Sequence, residues 1–292
     1  MVRNINIRPV IPSRVVILGK NGFIASAVKK KLQESGFNVL AIGKSDIDLT
    51  TNNSSNLLTS ILNEDDTLLF TSSIAPVKDI QMFQDNIKIC KNVCDVLTSK
   101  KIKHLIYISS DAVYKDSMSD LSEKSCAEPD SLHGIMHLTR EKMLKNYFDN
   151  NFCILRPTLI YGPEDPHNGY GPNQFIRSSL NGKNIELFGN GEELRDHVWI
   201  NDVVEVIIRS IMFMTDGCLN VTSGHVLSFN EIAKSVVKCI NNDLQINSNP
   251  RTTNMPHNGY RSFDPSILLN NFKDFNFNKF DEVLPKIYKD YS

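Results

Sequence analysis

Residues 14–36 read RVVILGKNGFIASAVKKKLQESG. The apolar run before Gly19 is mostly β-branched, which fits a strand buried on both faces. After Gly22 the apolar spacing becomes helical and stops at Gly36. Strand, glycine turn and helix together form the phosphate-binding unit of a dinucleotide fold. Gly19 allows the tight turn, and Gly22 lets backbone approach a pyrophosphate. Asn21, Phe23 and Ile24 flank that approach, where the helix N-terminus offers amide donors and positive potential. Ala25 stands at the third glycine position of this motif, and an ordinary strand-to-helix turn reads similarly.

Downstream the alternation repeats. Residues 37–42 form a second strand, whose end faces an adenosine ribose. A carboxylate there accepts the 2′-hydroxyl of NAD, whereas cations and hydroxyls accommodate the 2′-phosphate of NADP. Gly43, Lys44 and Ser45 favour NADP, with NAD as the alternative. Asp48 and Leu49 follow within reach of the adenine. Residues 67–71 are a third strand, ending in the small residues Ser72, Ser73 and Ala75. Helical spacing over 82–97 precedes a fourth strand at 103–108, which delivers Ser109, Ser110 and Asp111 at its carboxyl end. Ligands of doubly wound sheets sit at such ends.

A polar break over 115–130 leads to a helix capped by Asp130 or Ser131. His133, His137 and Glu141 fall four apart on one face of it. Three ligand-type residues suggest a metal, but no second ligand cluster supports one, and no metal is expected. A strand at 152–155 runs into RPTLIYGP, where Pro and Gly predict a loop. Residues 164–173 are turn-rich, a lid candidate. Further elements are predicted at 174–180 (helix), 185–188 (strand), a helix from an Asn201 or Asp202 cap to 214, 218–221 (strand) and 228–240 (helix). From 241 the chain is polar and loop-rich, ending in a helix over 281–291.

This order predicts an α/β fold: a doubly wound parallel sheet (Rossmann) with a smaller C-terminal substrate lobe. The expected dinucleotide-binding domain is 1–164. The substrate-binding lobe is 165–200 and 223–292, with 201–222 returning to the sheet. Lys plus Arg number 32 against 33 Asp plus Glu, so nothing electrostatic points to nucleic acid or an anionic membrane surface. No apolar run is long enough to span a membrane. Residues 1–14 lack the apolar stretch of a secretory signal. The six cysteines sit mostly in apolar runs and read as reduced core residues, including the Cys90–Cys94 pair. The expected location is the cytoplasm.

Taken together, GKNGFIA, SSDAVY, RPTLIYGP, LFGNGEELRDHVWINDV and RSFDPS resemble the extended short-chain dehydrogenase/reductases that modify nucleotide-linked sugars, the NAD-dependent epimerase/dehydratase family. The resemblance covers nearly the whole chain. Its length and the DIDL segment at 46–49 are most similar to the 4-keto-6-deoxysugar reductases of that family. The resemblance implies a nucleotide-diphosphate sugar as substrate and a homodimer through the helices around 83–99 and 131–148. It matches Gly19, Gly22 and Ala25 to the cofactor glycines, Asp48 and Leu49 to the adenine pair, and Ser110 to the catalytic hydroxyl. Asp111 matches an acid used by some sugar dehydratases. Arg195 matches an arginine that meets the sugar diphosphate, and Thr158 falls in the substrate-contacting motif.

The family's Tyr-x-x-x-Lys falls on His133 and His137. In the family the lysine holds the nicotinamide ribose and lowers the tyrosine pKa, and the tyrosine exchanges a proton with the sugar oxygen. One reading gives proton exchange to His133, whose imidazole titrates near neutrality without a neighbouring cation, and gives His137 a ribose hydroxyl. A second routes the proton through Ser110, Asp111 or water. A third leaves a protein that binds dinucleotide or nucleotide sugar without turnover.

Overall fold

The computed structural model describes residues 2–291. The chain runs β1 (Arg3–Asn4), β2 (Arg14–Leu18), α1 (Phe23–Glu34), β3 (Val39–Ile42), α2 (Ser54–Ile61), β4 (Asp66–Phe70), α3 (Ile80–Ser99) and β5 (His104–Ile108). A 3-10 turn over Asp111–Val113 leads to α4 (Leu132–Tyr147), β6 (Asn151–Pro157), β7 (Leu159–Tyr161), α5 (Pro172–Leu180), β8 (Ile185–Phe188) and β9 (Leu194–Trp199). Then come α6 (Ile200–Met212), β10 (Thr215–Val221), β11 (Val226–Ser228), α7 (Phe229–Ile240), β12 (Ile246–Asn249), β13 (Tyr260–Arg261), α8 (Ser266–Asn271) and α9 (Phe280–Tyr291).

The main sheet has the order β1-β10-β6-β5-β4-β2-β3 and is parallel except for β1. From β2 the chain first steps to β3 on one side, then returns to β4 on the other. That reversal opens a crevice at the carboxyl ends of β2 and β4, where such sheets take ligands. The unbroken apolar run of β2 has a simple cause. Val15 and Ile17 enter the core beneath α1 and α6, while Val16 and Leu18 enter the core beneath α2 and α3.

The lobe is built on β9, which pairs with β7, β11 and β13, and on the β8–β12 pair. Its core gathers Phe175, Phe229, Ile232, Val236 and Leu284 from α5, α7 and α9. Three local readings are corrected here. The loop expected after Pro157 contains β7, because Leu159–Tyr161 finds a parallel partner in β9 far along the chain. Helix α6 begins at Ile200, not after an Asn201 or Asp202 cap; Asp202 instead accepts hydrogen bonds from the Asn278 backbone and side-chain amides. The polar stretch after 241 holds β12, β13 and α8, all too short to show a period. Leu268, Phe272, Phe275 and Phe277 from that stretch pack into the core beneath α1 and α6, not into the lobe. Segment 200–221 lies with the main sheet through α6 and β10.

One buried ion pair ties these pieces together. Arg156, on β6, donates from Nε and Nη2 to both carboxylate oxygens of Glu141 on α4, at 2.9 and 2.5 Å. Ser109, at the end of β5, donates to the same carboxylate at 2.5 Å. Arg156 Nη1 donates to Tyr114 Oη, whose hydroxyl donates to Asn220 on β10 at 2.7 Å. The two side chains are 9% and 4% exposed, so little water can replace either partner. Glu141→Gln removes the carboxylate and leaves the guanidinium buried; loss of one partner of such a pair costs about 3–5 kcal/mol. The unfolding free energy from urea titration should fall by that amount, through a lower midpoint at constant slope. A loss below about 1 kcal/mol, the level of an exposed pair, rules out this role.

Candidate active site

A cavity of about 690 Å³ opens over the crevice. Its floor is the glycine turn. Gly19 has φ +105°, and a Cβ there would sit 2.7 Å from Thr71 Oγ1 and 3.0 Å from the Ser72 amide, so only glycine fits. Helix α1 starts from Gly22 with no side-chain cap and no acid in its first turn. Its leading amides are therefore left for an anion arriving at the cavity. Asn21, Phe23 and Ile24 border the same space. This cradle fits a dinucleotide pyrophosphate.

At the adenosine end, Lys44, Asp48 and Leu49 line the wall. Lys44 is 80% exposed and 3.7 Å from Asp48. Asp48 accepts from the Thr50 amide and hydroxyl. A carboxylate does stand near this turn, but Asp46 already accepts from Lys20 Nζ and the Gly43 amide. Ser72 lines the cavity, and its carbonyl accepts from Arg140 Nη2 at 2.8 Å.

The opposite wall holds Ser110, His133, His137 and Thr158. Ser110 caps the 3-10 turn, accepting from the Ala112 amide at 3.1 Å. Helix α4 is capped by Ser131, whose Oγ accepts from the Gly134 amide. Gly134 decides how near α4 comes to that turn. A Cβ there would lie 2.0 Å from the Ala112 carbonyl oxygen and 2.7 Å from Pro129 Cβ. The close approach brings His133 to the same cavity wall as Ser110. The His133 and His137 rings meet edge to face at 4.7 Å. Glu141, the third member of the histidine face, is spent on Arg156. Among the described residues no group of three His, Cys, Asp or Glu is placed to hold a metal.

Two expected site residues stand outside the cavity wall. Asp111 is gripped by Arg261, which donates to its Oδ2 at 2.9 Å and to its carbonyl. Arg195 donates to Glu193 and to the Leu194 and Pro256 carbonyls, with its side chain 5% exposed. It faces the protein and clasps β9 to the 256 turn, where a diphosphate contact was expected. Asp196, its neighbour, accepts from Thr222, from Ser223 and from the Gly224 amide, fixing the turn after β10.

Some site residues gave no signal in sequence. His197 borders the cavity with neither ring nitrogen in a hydrogen bond of normal geometry. Tyr107 lies one strand position behind the wall and reaches His137. Both are set by packing between distant segments, which a one-dimensional pattern does not carry.

Burial moves the histidines in one direction. It pushes His197 down to about 3 and His104 down to about 4. Burial also lowers His133, against Asp111, and lowers His137 well below its ordinary value, helped by His133 and Arg140. Between the folded values and an unfolded value of about 6.5, the unfolded chain binds more protons. The stabilisation is therefore complete above that value and is lost as pH falls below it. Melting temperature should drop steadily from pH 7 to pH 5; a flat profile contradicts the four neutral imidazoles. A second expectation concerns the close approach: Gly134→Ala should cost about 1–3 kcal/mol of stability by overpacking and widen the gap between Ser110 and His133. Unchanged stability and ligand binding would mean the contact is not needed.

A mostly parallel sheet with a glycine turn at its reversal, and a smaller lobe sharing the cavity over it, have the fold of the short-chain dinucleotide-binding class. Residues 15–217 match the NAD dependent epimerase/dehydratase family, and the chain belongs to that family. It is 25% identical over 239 residues to the ADP-L-glycero-D-manno-heptose-6-epimerase of Fusobacterium nucleatum, covering 72% of this chain and 70% of that one. Its fold is similar to Thermus thermophilus UDP-glucose 4-epimerase in complex with NAD, with a TM-score of 0.81 at 20% identity, covering 94% and 98% of the two chains. It is also similar to a GDP-L-fucose synthetase from Naegleria fowleri bound to NADP, with a TM-score of 0.81 at 14% identity over 98% and 96% of the chains.

Proposed function

We propose that this chain binds a nicotinamide dinucleotide and a nucleotide-diphosphate sugar in the cavity over the sheet crevice and carries out redox chemistry at a sugar carbon. The observation that carries the reading is the continuity of that cavity. It runs from the glycine turn past Ser110 and His133 to the 165–173 segment and His197 of the lobe. A bound nicotinamide supplies or accepts the hydride. The chain's own residues do the rest. Gly19, Gly22 and the first amides of α1 hold the pyrophosphate. Lys44, exposed at the adenosine end while Asp46 is occupied, favours the extra phosphate of NADP over NAD. His137 meets a ribose hydroxyl. Ser110 and His133 meet the reacting oxygen, with His133 taking the proton-transfer place of the family's tyrosine.

The first reading of the chemistry is reduction of a 4-keto-6-deoxy sugar nucleotide, supported by the DIDL segment. The second is epimerisation through a transient keto sugar, supported by the epimerases among the relatives. A homodimer through α3 and α4 belongs to the same reading, as does a cytoplasmic location.

The test mixes purified full-length protein with NADPH or NADH and a 4-keto-6-deoxy sugar nucleotide and follows the absorbance of the reduced nicotinamide. A reductase consumes it, NADPH faster than NADH, and Lys44→Asp moves that ratio toward NADH. His133→Ala should lower turnover by at least about a hundredfold with little loss of dinucleotide affinity; full activity in this variant removes the histidine from the mechanism. An epimerase interconverts sugar nucleotides with no net absorbance change. Thermal stabilisation by both ligands with neither reaction identifies a binding protein.

A further inference from the structure

The two histidines at the Tyr-Lys positions have their hydrogen-bonding roles set from behind the cavity. Tyr107 is 1% exposed, and its hydroxyl has one partner, His137 Nδ1, at 2.7 Å. If that nitrogen carried a proton, the phenol hydrogen would be buried without an acceptor, a cost of about 1–3 kcal/mol. The phenol therefore donates, Nδ1 accepts, and the proton of neutral His137 sits on Nε2. Among the described residues that nitrogen makes no hydrogen bond, and the residue lines the cavity.

His133 is constrained in the same sense by different chemistry. The Val77 backbone amide points at its Nδ1 across 3.4 Å. A backbone N–H can only donate, so a proton on Nδ1 would face another N–H. The neutral ring then keeps its hydrogen on Nε2. The charged or titratable groups facing the pair are Asp111 toward His133 and Arg140 toward His137. Asp111 pulls a second proton toward the ring, but its carboxylate is already held by Arg261 and burial of His133 outweighs that pull. The Arg140 guanidinium lies 5.1 Å over the Tyr107 ring and 4.4 Å over the Phe70 ring, with its carbonyl-directed bond to Ser72. A fixed cation there opposes a second charge on His137.

We infer that His133 and His137 are a pair of neutral Nε2–H donors, that Tyr107 is the positioning residue for His137, and that the oxygen site shared by His133 and Ser110 takes a carbonyl oxygen in preference to a hydroxyl. Ser110 fits this because its Oγ already accepts from the Ala112 amide, while its hydrogen is held only by a long 3.4 Å contact to Asp111 Oδ1 and can turn to a nearer acceptor. Both residues line the same cavity wall; an oxygen that took both hydrogens would be one with two lone pairs and no hydrogen, and the bonds would strengthen as negative charge develops on it. A neutral imidazole in this role polarises a carbonyl without first being charged. The lost lysine is thus replaced by a donor that needs no charge, and the site suits the keto form of the sugar. The assignment of sugar and ribose rests on the function proposed above; the tautomers do not.

The experiment is nitrogen-15 NMR of the ligand-free full chain labelled at histidine, at pH 7.5. Both residues should show an unprotonated Nδ1 and a protonated Nε2. A proton on Nδ1 of either ring, or an imidazolium, overturns the inference without any variant having to fold. Tyr107→Phe should then release the His137 tautomer and weaken dinucleotide binding roughly tenfold, leaving the His133 signals in place. Unchanged His137 shifts and affinity in that variant overturn the role of Tyr107. Wild-type protein that shows these tautomers yet binds no dinucleotide sinks the proposed function while leaving the histidine assignment standing. Tighter binding of a sugar nucleotide in its alcohol form than in its keto form overturns the oxygen-site preference.

Discussion

The Glu141–Arg156 pair governs the geometry of the site because it joins the segments that must meet there. Ser109 ends β5, Glu141 lies on α4, Arg156 on β6, and Tyr114 carries the connection to Asn220 on β10. Charges buried this deeply hold their places only when each lone pair and each proton has a partner. Here the carboxylate takes three donors and the guanidinium spends both ends of its fork. The consequence is directional. Helix α4 cannot slide along the sheet without breaking the pair, so His133 and His137 stay fixed relative to Ser110.

Around that anchor the cavity wall on α4 carries two imidazoles, one reached by a buried phenol and one by a backbone amide. The buried cation of this region, Arg140, is placed one turn further along α4 and holds the Ser72 carbonyl and two aromatic rings instead of a ligand. Positive charge therefore sits near the dinucleotide cradle but behind its wall. The 72–77 segment is held from both α3 and α4, by Asn86 through Ile74 and by His133 through Val77. The 72–77 segment and the α4 wall of the cavity are thus coupled through shared contacts.

Much of this was legible in the sequence. The strand–glycine–helix unit, the alternation of elements and the carboxyl-end placement of Ser110 follow from local rules of period, turn and cap. The residues predicted along the glycine turn, at Lys44, Asp48 and Leu49, and at Ser72, Thr158 and the two histidines, all border one cavity. Arg195 and Asp111 do not, because each is claimed by a partner remote in sequence: Arg195 by Pro256, Asp111 by Arg261. Strand β7 reads as a loop in sequence for the same reason. Its three residues carry no period of their own and become a strand only against β9.

What the sequence alone determined is the architecture and the identity of several side chains that line the cavity, since periodicity and spacing are properties of a single segment. What only the tertiary structure decided is the state of those side chains. The hydrogen of an imidazole goes to the nitrogen left free by its neighbours, and those neighbours, Tyr107 and Val77, arrive from other elements. A carboxylate is available to a ligand or closed to it according to which guanidinium reaches it first. Hydrogen-bond roles are settled by atoms in contact, and contact across a fold is not written in the local pattern.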